Sequence, residues 1–213
     1  MKLGTALFLA CSVLYAEIID RISLTVGRTV ISESQINTEI RVTAFLEDQK
    51  PDFAAASRKQ AIDRLINQTL IRREIELTRF PAPKPADADP LLAQVKAAHP
   101  KPAPDLAAAG LKPDELSRHL LWQLTLLRFV EYRFRPAVNI SEPDLRNFYD
   151  QQAAKWHEAD KAIPPFNGVR TELEALLTQQ RVDQALDRWL GEQRTQTPII
   201  FRDGPVRKEA AKP

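Results

Sequence analysis

The sequence predicts a mainly α fold: a helical module with a small β-hairpin near its N-terminus, paired with a C-terminal strand. Three observations predict it. Apolar residues recur at helical spacing through several long segments. Period-two alternation is confined to one short stretch, in which Ile22, Leu24 and Val26 interleave with Ser23 and Thr25. A short apolar run, Ile199 to Phe201, follows the last helical segment. An isolated hairpin is marginal in water, so this last run is expected to add the third strand and bring the two ends of the chain together.

The first sixteen residues hold one lysine, an apolar run from Leu3 to Tyr15, and Ala16, the layout of a secretory signal peptide. The expected mature protein begins near Glu17, in an exported setting. The apolar run is shorter than the roughly 20 residues a membrane span needs, and no later segment replaces it. A competing reading takes FLAC, residues 8 to 11, as a lipoprotein signal that tethers the protein to a membrane through Cys11. The cramped apolar segment between Lys2 and Cys11 argues against it.

Cys11 is the only cysteine. Cleavage after Ala16 therefore excludes disulfides, thiolate nucleophiles and cysteine metal sites together. The net charge of +2 gives no global electrostatic case for nucleic acid.

Gly27-Arg28 makes the hairpin turn, with glycine supplying the positive φ that a two-residue loop requires, and Val30-Ile31 returns antiparallel. Ser32 followed by Gln35 has the form of a capping box, opening a helix to about Asp48. A second helix runs from about Ala54 to Thr78. Ile62, Leu65, Ile66, Thr69, Leu70 and Leu77 share one face of it, and Arg58, Lys59, Arg64, Arg72 and Arg79 lie mostly away.

Two proline-rich breaks, 80–90 and 99–104, flank a short helix at Leu91 to Ala98 and read as solvated connectors. The longest helix starts at Pro113-Asp114-Glu115, with proline in the first turn and acids against the positive end of the dipole, and continues to Arg135. Its apolar residues form two bands. Leu116, Leu120, Leu124, Leu127, Val130 and Phe134 make a core stripe, while Trp122, Leu126 and Phe129 make a second stripe on another side. The second stripe either packs beneath the helices at 32–48 or 169–194, or stays open for a partner.

Ser141 caps the next helix, through Pro143 and Asp144, to about Lys155. Residues 156–168 read as a loop. Val169 to about Arg194 is helical with a changing apolar face, Val169, Leu173 and Leu176 on one side and Val182, Leu186, Trp189 and Leu190 on another, so it should meet different partners along its length. A polar tail, 202–213, is expected to be disordered.

Catalytic material is sparse. His99, His119 and His157 occur singly, without partners at metal-ligand spacing. Nucleophile elbows and glycine-rich phosphate loops are absent, so no catalytic residue, metal site or cofactor is expected. Mixed-sign runs such as Arg72-Arg73-Glu74 read as solvated helix faces. Basic residues at 128, 133 and 135 interleave with Phe129, Tyr132 and Phe134, a pattern found in single-strand nucleic-acid binding, but export and near-zero charge argue against that use.

The order IIDRISLTVGRTVISESQI, then RKQAIDRLINQTLIRREIE, resembles the N-terminal chaperone module of SurA-type periplasmic foldases. Val26, Val30, Ile31, Ser32 and Ser34 match its hairpin-to-helix pattern, and Ile62, Asp63, Arg64, Leu65, Ile66, Leu70 and Ile71 match its following helix. Gly27 stands where that family often has Asn, a swap the turn tolerates. The likeness continues through 108–134 and 138–152 and resumes in ALDRWLGEQR and PIIF.

The resemblance implies a signal peptide at 1–16, one chaperone domain at 17–201 and the tail. Within that domain, an N-terminal module at 17–155 is completed by the C-terminal helix and strand at 168–201. It implies an ATP-independent holdase for unfolded exported polypeptides, outer-membrane proteins above all. The family's parvulin prolyl isomerase domains would sit where only the 156–168 loop stands, so isomerase activity is not expected. Trp122, Leu126 and Phe129 are the expected client-binding residues. The rival readings are an isomerase-family member by descent and a structural subunit of an envelope assembly complex.

Overall fold

The computed structural model describes residues 20–99 and 102–202. The expected signal peptide, lipidation at Cys11 and the tail beyond Arg202 lie outside the described residues. The chain is mainly α. Two strands, β1 (Ile22–Val26) and β2 (Thr29–Ser32), precede helices α1 (Glu33–Leu46), α2 (Ala55–Thr78), α3 (Asp89–Ala98), α4 (Pro102–Ala108), α5 (Pro113–Arg133), α6 (Glu142–Glu158) and α7 (Phe166–Gln196), and β3 (Ile199–Phe201) follows.

The sheet has the order β2-β1-β3, with both pairings antiparallel. Thr25 stands opposite Val30 on one side and Ile200 on the other, so the C-terminal run does supply the third strand. Gly27 takes φ +58° and Arg28 stays out of the left-handed region, as a II′ turn with glycine first requires. A register shift between Ile22 and Leu24 turns both Ser23 and Leu24 inward. The Arg58 guanidinium donates to the buried Ser23 hydroxyl at 3.3 Å and to Glu33 at 2.6 Å.

Local signals set the helix starts. Ser32 caps α1: its hydroxyl accepts from the Gln35 N–H, and the Gln35 side chain accepts from the Ser32 N–H at 2.9 Å. Ser141 and Asp144 form the same reciprocal box at α6. At α5, Pro113 occupies the first turn and Glu115 accepts from the Lys112 N–H at 2.8 Å.

The main core joins the inner face of the sheet to α1, α2, α5 and the C-terminal half of α7, through Leu24, Ile36, Ile66, Leu70, Phe129 and Val182. A second cluster gathers Val42, Phe45, Leu106, Leu116 and Leu120, and a third joins Leu145 of α6 to Leu173 and Leu177 of α7. Helix α7 thus meets α6 first and the main core later, as its changing apolar face predicts. Arg194 fastens its end to α2, donating to Asn67 at 2.8 and 3.0 Å, to the Asp63 carboxylate at 3.0 Å and to the Asp63 carbonyl at 3.1 Å.

Several expectations need correcting. The break at 99–104 contains the start of α4, because proline at a first helical position lacks only a donor that would be orphaned anyway. Leu106 anchors that helix in the second cluster. The break at 80–90 includes a 3₁₀ turn, Pro85–Ala88, leading directly into α3. The loop expected over 156–168 is shorter, since α6 runs to Glu158 and α7 starts at Phe166. Trp156 packs edge-on to Tyr149, whose hydroxyl donates to the Pro164 carbonyl at 2.9 Å and draws the connection tight. Helix α5 stops at Arg133, and a 3₁₀ turn, Arg135–Ala137, accommodates Pro136. Leu77 and Leu176, expected on buried faces, are exposed.

Candidate functional site

The stripe of Trp122, Leu126 and Phe129 is not an open surface. Phe129 is 0% exposed and Trp122 5%, and Leu126 is half-buried against the same core. Phe129 meets Phe80 and Phe134 edge-on, with ring centroids 5.5 and 6.3 Å apart. The expected division of α5 is reversed at its centre: Leu127, placed in the core stripe, is 61% exposed. Helix α5 is rotated so that Thr125 lies inside, its hydroxyl satisfied by the Leu121 carbonyl at 2.7 Å.

What the helices leave open is a row of cavities. The first, of about 500 Å³, lies among α1, α2 and α5, between Thr38, Glu39, Gln68, Arg72, His119 and Trp122. The second, of about 450 Å³, lies between the hairpin turn and α2, and Arg72 borders both. The third, of about 390 Å³, is a mainly apolar groove between the 85–88 turn, α3 and α5, walled by Leu92, Leu120 and Leu121. Arg118 borders the first and third. The three cavities therefore form a chain punctuated by two arginines.

The wall of the first cavity is built around Glu39, which is only 6% exposed. Its carboxylate accepts from Arg64 Nε at 2.8 Å and from Gln68 Nε2 at 3.5 Å, and His119 Nδ1 stands 3.6 Å away. Burial pushes this carboxyl up, but His119 and Arg64 outweigh it and hold the group below the ordinary glutamate value. Arg64 is steadied in turn by Thr43 at 3.2 Å. Above this cluster the Arg72 guanidinium lies 4.2 Å over the Trp122 ring, a cation–π contact that caps the indole. Trp122 thus lines a cavity by its rim while its body belongs to the core.

Arg72 and Arg73, read from sequence as a solvated face, border the cavities, and neither makes an ion pair among the described residues. Glu39 and His119 were not singled out by sequence as one site, because they stand on two helices that only tertiary packing brings together. Of the interleaved basic and aromatic residues of α5, Phe129 and Phe134 are buried and Tyr132 is exposed, and Arg128, Arg133 and Arg135 pair with Asp87, Glu74 and Glu131.

Among the described residues, no group of three or more His, Cys, Asp or Glu side chains is placed to hold a metal ion, and no helix is long and apolar enough to cross a membrane. No protein-family model matches the chain, and no curated protein matches it. Ser34 also lines the first cavity, its hydroxyl donating to the Asp20 carboxylate. The cavities together present apolar walls, hydrogen-bonding rims and cationic posts.

Proposed function

We propose that this protein is an ATP-independent chaperone of the SurA type, without an isomerase domain, that holds unfolded exported polypeptides in the periplasm. The chain of three cavities is the observation that carries the reading. Along α2 the first two extend from Leu65 to Glu76, roughly 16 Å at the helical rise, which matches about five residues of extended chain. Shallow, separate cavities suit weak plural contacts and fast release, because no single large dry interface forms. The sequence resemblance supports the same reading, and so does the pairing of β1 with β3 that the resemblance leads one to expect. Outer-membrane proteins are the proposed clients.

The test is an outer-membrane barrel protein diluted from urea, with light scattering followed in the presence of the chain from Glu17 onward. Wild type should suppress the scattering. Ser117→Trp, which fills the third cavity from the half-buried surface of α5, should weaken that suppression while circular dichroism shows the helices intact. Absence of suppression by wild type would overturn the reading and leave a structural role in an envelope complex. Full suppression by the folded Ser117→Trp protein would remove the third cavity from the binding surface.

A further inference from the structure

The cavity between the hairpin turn and α2 differs from its neighbours in charge. Arg28 comes to it from the turn, Arg72 and Arg73 come from successive positions of α2, and Glu76 is its only acidic residue among the described residues. Several arginines elsewhere are matched: Arg118 pairs with Asp114 at 2.8 Å, Arg128 with Asp87 at 3.0 Å and Arg146 with Glu142 at 3.0 Å. Among the described residues, Arg28 and Arg73 have no ion pair or hydrogen bond, and Arg72 has only the Trp122 ring and the field of Glu76. The nearby Glu74 is turned to Arg133, at 3.7 Å. The floor is inert, formed by Val26, Leu70, Thr69 and Gly27.

Three guanidiniums against one carboxylate leave two positive charges uncompensated around a cavity of about 450 Å³. We propose that this cavity takes an acidic segment of the bound polypeptide, presenting two carboxylates to Arg28, Arg72 and Arg73. Side chains two apart on an extended segment point the same way, so a segment with acids at alternate positions offers both carboxylates to one wall. Guanidinium forks suit carboxylates because their donors match in plane and spacing. Arg72 also borders the first cavity, so the same segment runs on past Trp122 toward His119. The proposal rests on the chaperone reading, since it assumes that the ligand is a polypeptide.

The probe is a fluorescein-labelled peptide of eight residues, amidated at its C-terminus, with Asp at two alternate positions in an otherwise apolar and glycine sequence. Its control carries Asn at both positions. Anisotropy with the chain from Glu17 onward should show the Asp peptide binding at least tenfold more tightly, with the preference shrinking as salt rises. The double variant Arg28→Ala, Arg73→Ala alters two exposed side chains without partners, and should abolish the preference while circular dichroism is unchanged. Equal binding of the two peptides, or a preference that survives the double variant, would overturn the proposal. Displacement of the Asp peptide by an equal concentration of inorganic phosphate would overturn it too, reducing the cavity to a general anion site. If scattering by the unfolded barrel protein is still suppressed while the peptides are not distinguished, this inference fails and the chaperone reading stands. If neither client nor peptide is bound, both fail.

Discussion

Phe129→Ala is the sharpest test of how α5 is oriented. The side chain is fully buried between Phe80 and Phe134, so truncation removes a whole ring from the core and two edge-to-face contacts. Aromatic truncations of this kind cost about 3–5 kcal/mol, and the loss of two ring pairs places this one toward the upper end. A domain of this size has only about 5–15 kcal/mol in total. With a urea slope of about 2 kcal/mol/M, the midpoint should fall by roughly 2 M. Leu127→Ala removes more than half-exposed surface from the same helix and should cost within about 0.5 kcal/mol, a shift under about 0.3 M. Urea titration followed by circular dichroism at 222 nm reads both. Similar losses for the two variants, or a larger loss for Leu127→Ala, would refute the burial argument and reopen Trp122, Leu126 and Phe129 as a surface.

Three further outcomes follow from the contacts. Arg194→Ala should cost about 1–3 kcal/mol in urea unfolding, because it breaks the fork to Asp63 and Asn67, and Arg194→Lys should recover little of it because an ammonium cannot reproduce that planar geometry. Ser32→Ala should cost about 1 kcal/mol by removing the α1 cap, measurable as a lower urea midpoint with an unchanged slope. Glu39 has a folded pKa below its ordinary 4.5, so its contribution is present above that value and is lost as pH falls through the depressed folded pKa. Stability measured between pH 6 and pH 3 should therefore drop more steeply in wild type than in Glu39→Gln, and parallel curves would contradict the assignment.

Features with a local cause were legible in sequence. The hairpin turn needs only Gly27, the α1 cap needs only Ser32 and Gln35, and the changing face of α7 is written in the spacing of Leu173, Val182 and Leu190. The orientation of α5 was not legible, because apolar side chains surround that helix and its neighbours decide which of them are enclosed. Thr125 could go inside because its hydroxyl finds a carbonyl one turn back, which left Leu127 outside. The cavities were hidden for a similar reason. Glu39 is enclosed where Arg64 and His119 arrive from other helices to meet its carboxylate, and no spacing rule links positions so far apart. Proline misled at Pro102, where the residue that ends helices also begins them.

Because β1 takes its second partner from β3, the sheet cannot close until the last strand has been made. Synthesis proceeds from the N-terminus, so β1 and β2 are finished while nearly all of the chain is still to come. Throughout that interval the outer edge of β1 presents unpaired N–H and C=O groups, a template for any strand that arrives first. Closing so long a loop adds little equilibrium cost, since the penalty grows only with the logarithm of its length. The burden falls on timing: a copy clipped after α7 would carry every helix of the described residues and still display the sticky edge that Ile199, Ile200 and Phe201 cover.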